Sequence, residues 1–235
     1  MTTLAAMKRA GFREWWAREF KPKIDARAAG LRRELSRYDV LGEQRRLTGR
    51  DGGDSIEVIV LHFSEPHGIR IQGQRFLTHA SYPAEIVLRN AAHEPLHPML
   101  DLSDPRVRAL VDHLGDDPLI ASAVARHDPS YGYNSVAGLA EEDVVQALEQ
   151  IVSERLGFAD DPRERWIAAD DGMHVLAAAF YDLVRETNYP EKGGVFVDWL
   201  IARQSAGDLS PAEIEKRARR RSAMKRSTNG SVQRP

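Results

Sequence analysis

The sequence predicts an α+β protein in which a small β-sheet is followed by a mainly helical body. Three observations support this fold class. The only run rich in β-branched residues lies between residues 55 and 79, and apolar residues at helical spacing cover most of the remaining chain. The 235 residues are 42% hydrophobic and 29% charged, which is typical of a globular protein long enough to bury a core.

Residues 1–50 are predicted to form an N-terminal helical segment. It begins with a short amphipathic stretch, residues 1–20, that is rich in Trp and Phe. Apolar residues from Ile24 to Leu47 then recur at helical spacing. The glycine-rich stretch 48–54 is predicted to be the loop that ends this segment.

Two strands are predicted after the loop, at the start of a domain that we expect to span residues 51–209. The first is the β-branched run Ile56–Phe63, and the second is Ile69–His79. Gly73 lies inside the second stretch, so a turn or bulge is expected there.

The remainder of the domain is predicted to be helical. Pro83 suits the first turn of a helix that runs from Ala84 towards residue 97. An aromatic loop, residues 128–134, precedes the longest helix. The later helices are predicted at 105–114, 118–126, 141–156, 173–187, 195–203 and 212–221.

The charge is unevenly distributed along the chain. The formal net charge is −2, but the C-terminal 20 residues contain no acid and eight basic residues: Lys216, Arg217, Arg219, Arg220, Arg221, Lys225, Arg226 and Arg234. Such a tail can bind nucleic acid or an anionic membrane surface. A solvated, disordered terminus has the same composition. We therefore predict a C-terminal helix and a basic disordered tail over residues 210–235, and do not expect nucleic acid as a partner.

Several classes of protein are excluded by composition. The chain has no cysteine, so it can form neither a disulfide framework nor a thiolate metal site. No apolar run approaches the roughly 18 residues that a membrane span needs. The first 11 residues lack the apolar region of a secretory signal, so we expect a cytoplasmic protein. The sequence predicts no oligomeric state.

The pattern with the most specific chemistry is His93-Glu94-Pro95-Leu96-His97. Histidines four residues apart lie one above the other on a helix and can bind one zinc ion. Glu94, on an adjacent face, can take a proton from a metal-bound water without being a ligand. Pro95 and Pro98 are expected to place the pattern in a kinked last turn rather than in the middle of a helix.

This pattern, together with the order of sheet, motif helix and helical body over about residues 55–156, resembles the zincin metallopeptidases. The resemblance implies a third zinc ligand. In metzincins that ligand is a histidine six residues after the second one, a position occupied here by Ser103. In gluzincins it is a glutamate from a later helix.

The gluzincin pattern implies Glu142 as the third ligand, with Glu149 as second choice and Glu141 as third. Gln146 would lie one helical turn after Glu142, where it could orient that ligand. The alternative for all three glutamates is a solvated acidic face near a helix N-terminus, where the helix dipole favours acidic residues.

Two more residues have candidate roles. Some gluzincins carry a tyrosine shortly before the third ligand, and Tyr133 could be that residue and hydrogen-bond the reaction intermediate. An aromatic residue that packs the loop is the alternative. His174 could stabilise an oxyanion or act as a third ligand, or it could be a core or capping histidine. The strand Arg75–His79, if at a sheet edge, could pair with an extended peptide.

The resemblance therefore implies a zinc metallopeptidase that hydrolyses peptide bonds of a peptide or protein substrate through a zinc-bound water. Two other classes stay open. One is a catalytically inactive zincin-like protein that binds metal or peptide. The other is a helical protein with an accidental histidine pattern, whose basic tail contacts nucleic acid.

Overall fold

The structure, a computed structural model, describes residues 2–65 and 68–228, with side chains up to residue 220. It is mostly helical with a small mixed sheet, which confirms the α+β class. The chain divides into two compact units, Met1–Asp39 with Gly53–Pro95 and Val40–Gly52 with Leu96–Pro235. The boundaries expected after residues 50 and 209 stay predictions.

Helices and strands follow one another closely in the described part of the chain. In chain order they are α1 (Thr3–Arg9), α2 (Phe12–Glu19), α3 (Lys21–Leu35), α4 (Val40–Thr48), β1 (Glu57–Leu61), β2 (Ile69–Gln72), β3 (Arg75–His79), α5 (Ala84–His93), α6 (Pro105–Gly115), α7 (Pro118–Arg126), α8 (Val136–Leu156), α9 (Pro162–Ala168), α10 (Val175–Glu186), α11 (Tyr189–Lys192), α12 (Phe196–Ser205) and α13 (Pro211–Thr228). Short 3-10 turns lie at Glu94–Leu96, Pro129–Tyr131 and Ala169–Gly172. None of these helices is both long and apolar enough to span a membrane.

The sheet of the first unit has β3 in the middle. β3 runs parallel to β1 and antiparallel to β2. The stretch predicted as one strand, Ile69–His79, is thus a hairpin that turns at Gly73, whose φ of 57° suits glycine. The expectation that Arg75–His79 is an edge strand is wrong, because β3 has a partner on each side.

Helices α3 and α5 cover one face of this sheet. The buried core of the unit consists of Leu31 from α3, Phe76 from β3, and Val87 and Ala91 from α5. Burial of Phe76 or Val87 stabilises the unit by about 1.5–3 kcal/mol each. Because Val87 and Ala91 anchor α5 to the sheet, they fix the position of the last helical turn, where His93 lies.

The helix predicted from Ile24 to Leu47 is in fact two helices. α3 ends at Leu35 and α4 begins at Val40, which belongs to the second unit. Within that unit α4 packs on α8 and buries Val40 and Leu47. The hydrophobic spacing is nearly continuous across the break, so it did not reveal that the two segments pack in different cores.

The second unit is built around α8. Ser135 caps this helix by accepting a hydrogen bond from the Gly138 N–H at 3.0 Å, so α8 begins at Val136 and not near residue 141 as predicted. Every residue from 142 to 153 is buried, and α4, α6, α7 and α10 pack around the helix. The alternative of a solvated acidic face is therefore wrong for Glu142 and Glu149, which are buried, whereas Glu141 is half-buried.

Four Asp-Pro pairs begin a helical turn in the second unit. The aspartate side chain in each pair accepts a hydrogen bond from the backbone N–H two residues later, and proline takes the first helical position, where its missing N–H costs nothing. The pairs begin at Asp104, Asp117, Asp128 and Asp161. The last of them starts α9, a helix that the apolar spacing did not reveal.

The basic residues at the start of the predicted tail are helical and paired. Arg217 is buried, contacts Glu186 at 2.9 Å and donates a hydrogen bond to the carbonyl oxygen of Asp208. Arg220 also pairs with Glu186, and Arg219 pairs with Glu215. Residues 216–220 are therefore part of α13, in agreement with the helix predicted over residues 212–221. The side chains of Arg221 and the basic residues after it lie outside the described part.

We expect the Glu186→Gln variant to lose about 1–2 kcal/mol of unfolding free energy at pH 7, because the buried guanidinium of Arg217 loses the nearer of two carboxylate partners. The loss is limited because Glu213 remains 3.4 Å from Arg217 and Glu186 is itself partly exposed. Burial by itself raises the pKa of Glu186, but hydrogen bonds from Arg220 and Arg217 outweigh it and lower that pKa below 4.5. The stabilisation is thus complete above pH 4.5 and lost as the pH falls through the lowered pKa.

Urea unfolding of wild type and variant between pH 7 and pH 3 tests this expectation. The difference between the two proteins should shrink as the pH falls. Glu215→Gln, which removes the exposed partner of Arg219, is the control and should change stability by less than about 0.5 kcal/mol. Equal losses of unfolding free energy in the two variants would show that the buried pair of Arg217 and Glu186 stabilises the protein no more than an exposed pair does.

Candidate metal site

The histidine motif lies where α5 ends. α-Helical geometry stops at His93, and Glu94–Leu96 continues as a 3-10 turn. Pro95 has no N–H to donate to the carbonyl four residues back, which explains why the regular helix ends before it. The motif is thus in a tightened last turn, with Glu94 and His97 both half-buried.

His93, His97 and Glu142 form a group that could hold a metal ion. Each offers one ligand atom, and the three atoms lie within 4.8 Å of one another. His97 Nε2 is 3.6 Å from Glu142 Oε2. Two ligands of one tetrahedral zinc ion are about 3.4 Å apart when each bond is about 2.0–2.2 Å, so this pair fits a shared ion.

Glu141 orients His97 instead of joining the group. Its carboxylate accepts hydrogen bonds from the backbone N–H groups of Met99 and Leu100, both at 2.6 Å. One of its oxygens is also 3.3 Å from Nδ1 of His97. A proton held on Nδ1 by this carboxylate leaves the Nε2 lone pair for a metal, on the side of Glu142.

Glu149 is also engaged elsewhere. It is buried, pairs with Arg165 and accepts a hydrogen bond from the Ser153 hydroxyl at 3.2 Å. Of the three glutamates considered from the sequence, Glu142 is therefore the one whose carboxylate lies with the motif histidines.

Gln146 holds the other oxygen of Glu142, in the position expected from the sequence. Its amide nitrogen donates a hydrogen bond to Glu142 Oε1 at 2.9 Å, and both side chains are buried. Because Oε1 is occupied in this way, Oε2 is the oxygen directed towards His97.

Tyr133 lies beside Glu142. Burial is the main cause that raises the pKa of its hydroxyl. The charge of Glu142 and a hydrogen bond to Glu142 raise this pKa further. The hydroxyl thus stays protonated at neutral pH and is a hydrogen-bond donor. Its aromatic ring meets the ring of His174 edge-on, with centroids 5.6 Å apart.

His174 is fully buried, with a carboxylate at each ring nitrogen. Asp143 lies 2.6 Å from Nδ1 and Asp170 lies 2.9 Å from Nε2. Burial alone lowers the pKa of His174, but Asp143 and then Asp170 outweigh it and raise the pKa to about 9. His174 is therefore a core histidine, and neither nitrogen is directed at solvent or at a metal.

Three residues near the group were not found from the sequence. Asp143 and Asp170 hold His174, and Asp143 also caps α10 by accepting from the N–H groups of Leu176 and Ala177. The third is Gly68 of the first unit, where an added Cβ would come within 2.7 Å of Glu94 Oε1. Asp170 lies four residues before His174, a spacing that could have indicated the pair.

Replacing Glu142 by alanine should weaken zinc binding by more than the 10- to 100-fold that loss of a merely orienting group typically costs. Glu149→Ala is the matched control on the same helix, since Glu149 has its own partner in Arg165. A chelator competition titration on both variants measures the difference. A larger effect from Glu149→Ala would move the third ligand to that residue.

Comparisons with protein-family models, with curated proteins and with solved structures found no match. The function of this chain therefore has to be inferred from its own residues and their geometry.

Proposed function

We propose that this chain is a zinc-dependent metallopeptidase that hydrolyses peptide bonds in a peptide or protein substrate. The observation that carries the proposal is the group formed by both motif histidines and one carboxylate from a separate buried helix. Glu94, the remaining chemically active residue of the motif, lies between the two histidines in the chain. The resemblance of this pattern to gluzincins is what favours a peptide bond as the target.

Zinc is the metal that best suits these donors. Two imidazoles and one carboxylate are a common ligand set of catalytic zinc, which takes three protein ligands and leaves one coordination position open. The chain has no cysteine, so sites that need thiolates are excluded. When bound, zinc acts as a Lewis acid and makes hydroxide available near neutral pH.

The chain's own residues would supply the proton transfers. Glu94 would accept the proton of the attacking water and pass it to the leaving amine as the peptide bond breaks. Tyr133, whose hydroxyl stays protonated, would turn its single donor from Glu142 to the oxygen that becomes negative during the reaction. Glu141 and Gln146 would hold His97 and Glu142 in place.

The nucleic-acid alternative has less support. In the described part of the basic stretch, Lys216, Arg217, Arg219 and Arg220 each pair with a glutamate of α10 or α13. Paired cations contribute less to phosphate binding than free ones do, because the glutamates must be displaced or screened.

Elemental analysis and a peptide-library assay test the proposal. Protein purified without chelator and supplied with zinc should contain one zinc per chain. It should also cleave a library of quenched fluorescent peptides, and cleavage should stop when a chelator removes the metal. Absence of zinc would refute the proposal. Bound zinc without cleavage of any library member would favour the inactive, metal-binding alternative.

We expect the Gly68→Ala variant to retain zinc but to lose activity. The new Cβ would lie 2.7 Å from Glu94 Oε1 and 2.8 Å from Asn90 Cγ, so Glu94 must move. Displacement of a catalytic group by about 1 Å can slow an enzyme by roughly 100-fold. Steady-state turnover of the best library peptide, together with zinc content, measures the effect.

Gly73→Ala is the matched control for Gly68→Ala. Both glycines have positive φ, 152° for Gly68 and 57° for Gly73, so alanine is strained at either position. A Cβ at Gly73 meets no heavy atom within 4 Å. Both variants should lose stability, but only Gly68→Ala should lose turnover. An equal loss of turnover would mean that strain, and not the contact with Glu94, is responsible.

A further inference from the structure

His174 connects three separate segments of the second unit through its side chain. Asp143 on α8 lies 2.6 Å from Nδ1, and Asp170 in the turn after α9 lies 2.9 Å from Nε2. The ring packs edge-on against Tyr133 in the loop before α8. Since His174 and Asp143 have no exposed side-chain surface, the imidazole has one fixed orientation.

A fourth contact leads from His174 towards the candidate metal site. The amide nitrogen of Gln146 is 3.2 Å from His174 Nε2 and 2.9 Å from Glu142 Oε1. The amide oxygen of Gln146 is buried and has no hydrogen-bond partner among the residues that the structure describes. A carboxylate lies at each ring nitrogen of His174, so Nε2 and the Gln146 amide nitrogen are both donors, and their contact is one of packing and not a hydrogen bond. The hydrogen bond to Glu142 and this packing contact with His174 together set the orientation of the Gln146 side chain.

Two of the neighbours of His174 also touch Glu142. Gln146 binds one oxygen of Glu142, and the Tyr133 hydroxyl makes a hydrogen bond with the same residue. Asp143 follows Glu142 directly in α8. Two groups that contact His174, the side chains of Gln146 and Tyr133, therefore also contact the carboxylate of Glu142.

We propose that His174, fixed by Asp143 and Asp170, is a positioning residue that sets the orientation of Glu142 through Gln146 and Tyr133. The inference rests on the proposed function only in so far as Glu142 is a metal ligand. His174 does not touch the metal or the substrate. It determines which oxygen of Glu142 is available, and so how tightly and in what geometry the ion is bound.

A purely structural role makes a different prediction. Asp143 accepts hydrogen bonds from the Leu176 and Ala177 N–H groups at the start of α10, so the pair of Asp143 and His174 also joins two core helices. If that were its whole role, substitution of His174 would lower stability and leave the bound metal unchanged in the folded protein. Metal affinity and metal geometry therefore decide between the two roles.

Two substitutions of His174 distinguish the roles of its two ring nitrogens. In His174→Asn the amide nitrogen can replace Nδ1 and keep the hydrogen bond to Asp143, but the contact of Nε2 with Gln146 is lost. In His174→Gln the amide reaches the position of Nε2 instead. A third variant, Gln146→Leu, removes the link to Glu142 while leaving His174 and its two aspartates in place.

The experiment measures zinc affinity by chelator competition, the visible absorption spectrum of the cobalt-substituted protein, and urea unfolding of the metal-free protein. His174→Asn and Gln146→Leu should each weaken zinc binding by about 10- to 100-fold and change the cobalt spectrum. His174→Gln should have the smaller effect. Glu149→Gln is the control, because it disturbs a different buried interaction of α8, the ion pair of Glu149 with Arg165.

Specific outcomes would overturn the inference. Wild-type zinc affinity and an unchanged cobalt spectrum in both His174→Asn and Gln146→Leu would do so. An effect of Gln146→Leu without one of His174→Asn would leave Gln146 acting alone and remove the role of His174. Wild-type protein that binds no zinc would instead refute the proposed function, whereas zinc binding without peptide cleavage would leave this inference intact.

Discussion

Replacement of His97 by alanine should abolish stoichiometric zinc binding. The variant loses one of the three ligands in the group and, with it, the imidazole that Glu141 holds in position. We expect the affinity for zinc to fall by about 1000-fold or more, equivalent to about 4 kcal/mol of binding free energy. His93→Ala should behave in the same way.

Equilibrium dialysis followed by elemental analysis measures this loss. His113→Ala is the control for adventitious binding by histidines, because His113 lies outside the group of His93, His97 and Glu142 and bonds the carbonyl oxygen of Leu209. The control should bind one zinc per chain, the same stoichiometry that we expect of wild type. If His97→Ala also retained one tightly bound zinc, the ion would have to be bound elsewhere in the protein.

Replacement of Glu94 by glutamine should remove hydrolysis while zinc stays bound. The amide has nearly the same shape as the carboxylate but cannot accept a proton from water. General acid–base catalysis contributes roughly 100- to 10,000-fold to a rate, so kcat/KM should fall by that order. Because Glu94 is outside the ligand group, the zinc content should not change.

Glu85→Gln is the control for this variant, since Glu85 is an exposed acid on α5, the helix that leads into the motif. Turnover of the best library peptide is compared among wild type, Glu94→Gln and Glu85→Gln at equal zinc content. Turnover near the wild-type level in Glu94→Gln would exclude Glu94 as the base. The metal-binding part of the proposal would then stand without the catalytic part.

The fold was predictable where a local pattern determines the structure. The β-branched run gave β1, Gly73 marked the hairpin turn, and Pro83 preceded the helix that carries the motif. The break between α3 and α4 was not predictable in this way, because it depends on which core each segment packs against. Periodicity reports an apolar face but does not identify the partner of that face.

The candidate site shows the same division. His93, Glu94 and His97 are adjacent in the chain, so a local pattern reveals them. Glu142 followed from the resemblance to gluzincins. The roles of Glu141 and Asp143 could not be inferred, since their partners are distant in sequence: Glu141, for example, holds a backbone turn at Met99 and Leu100.

The buried surroundings of α8 have a consequence for how the protein would respond to metal supply. This helix is enclosed by four others, and its acidic residues have protein partners in Gln146, His174 and Arg165. Folding of the unit is therefore driven by its apolar core and not by metal ligation, in contrast to small zinc domains that unfold without the ion. Under the proposed function, zinc starvation would accordingly yield a reserve of folded, inactive protein that regains activity when zinc returns, without new synthesis.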